Sequence, residues 1–175
     1  MLDGVATALY TSSFTSLWYW IFLALAWNSL SHWTMGVPYD AVVRADRKGG
    51  EFAAHVDDIA HAMSLRMVHV MRVARVYLAA TGGFVLSGLL VASFGFRFEF
   101  AQAILVFVGP LSLVAAKEAM FAERVVAQNL RGSNLRRALF WQRFQTQLAG
   151  VVSLVLATGF LVFELVRTKP HLFLQ

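Results

Sequence analysis

With 175 residues, 58% of them hydrophobic and only 14% charged, the chain is one domain by length and far more apolar than a soluble globular protein. It contains no cysteine, which excludes disulfides, cysteine-ligated iron–sulfur clusters and thiol catalysis. The net charge of +5 is gathered in two blocks beside apolar runs, which suits membrane topology rather than a phosphate-binding face, so no nucleic-acid partner is expected.

Residues 1–13 carry no Lys or Arg, lack the positive start of a signal peptide, and read as a short interfacial segment. The first predicted span is 14–35, with Trp18, Tyr19 and Trp20 at one end and Trp33 at the other as an aromatic belt. In its polar second half Asn28 and His32 stand four apart and share a face. Gly36 and Pro38 stop the helix. The connection 36–72 begins with YDAVVRADRKGGEF, a short amphipathic helix closed by Gly49 and Gly50. One long helix is then expected over 51–94, its first half leaving or skimming the membrane. There Ile59, Met63, Met67, Val70 and Met71 make an apolar stripe, while Asp57, Asp58 and Arg66 require water or a partner.

The centre of the chain supplies two spans, 73–94 and 100–120. Each has the roughly 20 apolar residues that a bilayer core needs. The five residues between them permit only an antiparallel hairpin. Gly83 and Ser87 form a small-xxx-small surface for close helix contact, with a bend at Gly82 and Gly83 as the alternative. Pro110, near the middle of 100–120, removes a backbone donor and leaves a carbonyl for neighbouring groups to satisfy. The basic connection 121–146 breaks at Gly132 and Ser133, with Ser133 or Asn134 as the expected cap of the following helix. In that helix Leu135, Leu139 and Phe140 are read as facing lipid, and Arg136, Arg137 and Arg143 as facing headgroups. The fourth span is 147–166, and the tail after it returns to the interface.

Twelve of the fifteen Lys and Arg residues fall in or beside the two large connections. The positive-inside rule then puts both connections in the cytoplasm and both termini in the periplasm. The expected fold is all-α: a single domain over 1–175, polytopic in a bacterial inner membrane, with four transmembrane helices, a tight central hairpin and cytoplasmic helical extensions.

Four ionisable groups converge on one predicted inner rim: His32, His69, Lys117 and Glu118, with Asn28 one turn deeper than His32. Such groups are costly at that depth unless paired or hydrated. His32, His69 and Glu118 are therefore candidate metal-binding or proton-handling residues, the alternative being ordinary groups at headgroup depth. A haem held by His32 and His69, with Arg72 and Arg75 at its propionates, is the cofactor variant of the same idea; otherwise no cofactor is expected. Asp57, His61, Leu65 and His69 recur every four residues and are read as a solvated helix face. Serines 87, 112 and 153 have no histidine at matching depth, so serine hydrolysis has no basis here.

The stretch SLWYWIFLALAWNSLSHWTMGVPYDAVVRADRKGG, residues 16–50, carries a WYW opening, an SHW near the end of the first span and a GVPYD turn before a basic run. In these features it resembles a small alphaproteobacterial integral membrane protein family labelled "component of SufBCD complex". The resemblance implies a connection to iron–sulfur cluster assembly and supplies no catalytic residues. The expected function is a non-enzymatic accessory or assembly subunit of an inner-membrane complex. Its expected partners are membrane lipids and either another membrane subunit or copies of itself. The alternative is a small homo-oligomeric channel or transporter with a pathway between protomers. Asn28, His32, Gly83, Ser87 and Pro110 are the candidate interface or pathway residues.

Overall fold

The structure, a computed structural model, describes residues 13–168; the readings made for 1–12 and 169–175 lie outside the described residues. After a 3-10 turn at Ser13–Thr15 come α1 (Leu17–His32), two short strands, α2 (Tyr39–Lys48), α3 (Gly50–Leu90) with a π-helical continuation (Val91–Gly95), α4 (Glu99–Ala127) and α5 (Gly132–Thr168). Three of these are long and apolar enough to cross a membrane: α3 with its π segment, α4, and α5 within Gly132–Phe163.

The first predicted span, 14–35, requires correction. Its helix is only 16 residues long, about 24 Å at 1.5 Å per residue and short of the roughly 20 residues a bilayer core needs. It stops at His32 because the next six residues fold back: Trp33 pairs with Pro38 and Thr34 with Val37. Met35 (φ 55°) and Gly36 (φ 70°) form the turn in the left-handed region that two-residue hairpins require. An added Cβ at Gly36 would stand 3.4 Å from Met63, an ordinary contact, so it is the positive φ that calls for glycine there.

Helix α2 ends as its glycines demand. Gly49 sits at φ 63° and donates its N–H to the Ala45 carbonyl at 2.9 Å. Immediately after it, α3 runs unbroken for 41 residues through Gly82 and Gly83. Helices α3 and α4 run in opposite directions: Gln102 Nε2 donates to the Ser93 carbonyl near one end, and Arg75 pairs with Glu123 further along. Helix α5 lies against both α1 and α4.

Two separate cores result. At the end of the bundle here called the head, Val42 and Ala45 of α2 pack with Val56 and Ala60 of α3, Val125 of α4, and Leu135 and Leu139 of α5. The second core, in the body of the bundle, is built on Phe14, Leu23 and Trp27 against Val106 of α4 and Ala157 of α5. In the head one expectation is met in part and one is overturned. The buried positions of α3 there include Val56, Ala60 and Ser64; of the apolar stripe read from the sequence, Met67 packs against the head core and Met71 is half-buried, while Ile59, Met63 and Val70 are exposed. Leu135 and Leu139 do not face lipid; both are fully buried in the head core, while Phe140 is exposed.

Candidate functional site

The head joins α5 through a contact that the sequence did not suggest. Asp57 is buried, and its Oδ2 accepts the N–H of Gly132, the first residue of α5, at 2.6 Å. A carboxylate at a helix N-terminus satisfies an orphan donor and opposes the positive end of the helix dipole. The cap therefore comes from a distant helix rather than from Ser133 or Asn134. One position on, Asp58 pairs with Arg131 at 3.2 Å on the surface.

Between the head and the body lie the residues assigned to the inner rim. The Trp33–Pro38 turn, Met63, Arg66 and Met67 enclose a groove of about 350 Å³ together with Glu118. His32 lines a different groove, of about 490 Å³, with Tyr39, Arg44 and Arg47. His69 lines neither and is exposed on α3. The three candidate ligands thus stand in separate surroundings, and among the described residues no three His, Asp or Glu side chains gather as metal ligands would. Lys117 donates to Gln145 Oε1 on α5 at 2.9 Å, and Arg75, offered above to haem propionates, is paired with Glu123.

What α2 and α5 do bring together is positive charge on an aromatic and apolar support. The guanidinium of Arg143 lies 3.4 Å from the centre of the Tyr39 ring, a cation–π contact. Arg136 Nε reaches Asp46 at 3.1 Å. Arg47 and Arg137 line a further groove with Val43 and Phe140, about 300 Å³ in volume. Clusters of this kind suit phosphate-bearing headgroups at a membrane surface.

The candidate interface residues divide into a closed set and an open one. Pro110 is closed. Lacking an N–H, it leaves the Val106 carbonyl, four residues earlier, without its helical donor, and Ser153 Oγ of α5 donates to that oxygen at 2.7 Å. Gly83 and Ser87 are open. A Cβ added at Gly82, Gly83 or Gly88 would meet nothing within 4 Å, and the Ser87 hydroxyl bonds only within its own helix, to Phe84 O at 3.0 Å. Asn28 and His32 are likewise exposed on α1, and Asn28 has no hydrogen-bond partner among the described residues. The close approach within the protomer occurs instead between α1 and α5, where a Cβ on Gly150 would stand 3.1 Å from Trp27.

Comparison with family models, curated proteins and solved structures yields no match for this chain.

Proposed function

We propose that the chain is a non-enzymatic accessory or assembly subunit of a bacterial inner-membrane complex. In this reading α1, the apolar part of α3, α4 and α5 occupy the bilayer as four membrane helices, α1 being short and held by its packing on α5. The α3–α4 pair forms the central hairpin. The head and its arginines lie in the cytoplasm and both termini in the periplasm, following the bias of positive charge.

One observation carries the proposal. In the most apolar stretch of α3 only 6% of the residues are buried, against 28% in α4 and 22% in α5. Val76 and Phe84 are 75% and 79% exposed, and the glycines beside them lie open. Large apolar side chains alone suit lipid, but glycines beside them let a second helix approach closely. The α3 face is thus fitted to a partner helix, and the head offers the cytoplasmic half of the same contact. The resemblance of residues 16–50 directs the first search for that partner to iron–sulfur assembly components.

The test is affinity purification from native membranes at endogenous expression, with wild type compared to Gly83→Leu. A stoichiometric partner recovered with wild type and lost with the variant is expected. Consistent recovery of this chain alone as a monomer would overturn the proposal. The second reading, a channel formed between copies, draws on the exposed pair Asn28 and His32. It requires a homo-oligomer whose flux in liposomes changes in N28A or H32A.

A further inference from the structure

Far from the head, the π segment, the start of α4 and the last turns of α5 enclose a groove of about 640 Å³. Its walls are apolar, with Leu156, Phe160 and Phe163 along α5 and Phe94 opposite. Its floor is open at Gly159, where an added Cβ would meet nothing within 4 Å. Three polar residues interrupt this lining: Ser93, Arg97 and Gln102.

Their bonding is incomplete in a specific way. Ser93 is fully buried and its hydroxyl has no partner. Gln102 is 7% exposed; its Nε2 is fixed on the Ser93 carbonyl at 2.9 Å, which leaves Oε1 unpartnered. Buried polar groups are normally bonded, so two orphans on one groove point to something that completes them. Arg97 is exposed, lies in the left-handed region at φ 56°, and has no ion pair among the described residues. The carboxylate of Glu99, two residues on, is already engaged by the Phe14 N–H at 3.0 Å.

We infer that this groove is a binding site for an anionic, hydroxyl-bearing phospholipid of the outer leaflet. Its phosphate is held by Arg97, its polar region completes the Ser93 hydroxyl and the Gln102 oxygen, and one acyl chain lies along Gly159, Phe160 and Phe163. The cation sets the charge of the ligand. The orphan hydroxyl and amide oxygen require one acceptor and one donor, which a hydroxylated phosphodiester headgroup supplies. The volume falls within the range of small-ligand sites, about 300–1,000 Å³. The inference rests on the membrane placement proposed above but not on the partner helix, since the open glycine face of α3 lies outside this groove.

The experiment is native mass spectrometry of the full chain purified in mild detergent, with lipids extracted from the same sample. It is followed by titration with phosphatidylglycerol and, separately, phosphatidylcholine. Gly159→Leu fills the floor of the groove, and Arg97→Gln removes the charge at its mouth. The expected result is a retained anionic lipid whose binding falls about tenfold or more in either variant, the scale of losing a principal contact, while lipid-free thermal stability does not fall below the wild-type value. Loss in Gly159→Leu with full retention in Arg97→Gln, or equal binding of phosphatidylcholine, would show a neutral amphiphile and overturn the anionic assignment. Binding indifferent to both variants would overturn the site itself. Recovery of the wild-type chain alone, with lipid retention as expected here, would tell against the accessory reading and leave the lipid site standing.

Discussion

Replacing Ser153 with Ala tests the link between a proline in one helix and a hydroxyl in another. Pro110 leaves the Val106 carbonyl without a helical donor, and Ser153 Oγ supplies one at 2.7 Å in a position where Ser153 is fully buried. Removing a hydrogen bond so that a buried acceptor is left bare costs about 1–3 kcal/mol. Interhelical bonds within membranes are measured lower, averaging about 0.6 and reaching about 1.7 kcal/mol. The oxygen at Val106 has lost its alternative donor, so S153A belongs at the upper end, about 1–2 kcal/mol. For a chain of this size that is a fall in Tm of about 2–8 °C. P110A restores an N–H to the same carbonyl, so S153A should cost under about 0.5 kcal/mol in that background, and the double mutant should be less destabilised than the sum of the two single mutants. Thermal unfolding of the detergent-solubilised chain, read by loss of the monodisperse peak, measures all four corners. An equal cost of S153A with and without Pro110 would refute the reasoning.

Other contacts give equally direct expectations. Gly150→Ala should lower stability by about 1–3 kcal/mol, because its new methyl meets Trp27 at 3.1–3.3 Å. Gly159→Ala, with open space around it, should be neutral or gain up to about 1 kcal/mol of helix propensity, and the pair compared in one thermal assay checks both. Asp57→Ala strips the Gly132 N–H of its acceptor and should cost about 1–3 kcal/mol, with amide exchange accelerating at the start of α5. Arg131→Ala, which breaks only an exposed pair, should cost under about 1 kcal/mol. Because the chain has no cysteine, single substitutions at Phe96 and Gln128 report topology cleanly. Impermeant thiol reagents should reach the first only from the periplasm and the second only after the membrane is opened.

The long elements were legible because apolar length, glycine pairs and proline have local meaning. The stop at Gly49, the continuity of α3 and the need for a donor near Pro110 all follow from backbone chemistry within a few residues. What failed was the assignment of faces. An apolar residue on an amphipathic helix suits a membrane surface as well as it suits a core, so hydropathy cannot say which way Leu135 turns, and it cannot rank Ile59 against Ala60 for the face that meets other helices. Nor do small residues decide it, since Gly82, Gly83 and Gly88 are as open as Gly150 is closed. Ala60 and Ser64 are among the buried positions of α3, and Gly150 rather than Gly83 marks the tightest contact within the protomer. The cap on α5 was hidden for a different reason: Asp57 and Gly132 lie 75 positions apart, and nothing local marks either as the other's partner. The candidate metal residues looked adjacent only in depth. Sequence gives a residue's height along a span but not its azimuth, and Glu118 and His32 turn to different grooves.

The uninterrupted run of α3 from Gly50 to Leu90 also makes it a mechanical element. At 1.5 Å per residue it is a rod of about 60 Å, buried against the head near its base and tied to α4 again beyond its far end, where Gln102 donates to the Ser93 carbonyl. A tilt of about 5° imposed at its base would carry the far tip sideways by about 5 Å, and the start of α4 with it. A load placed on the head would therefore be felt beside Ser93 at the other end of the bundle, through stiffness alone.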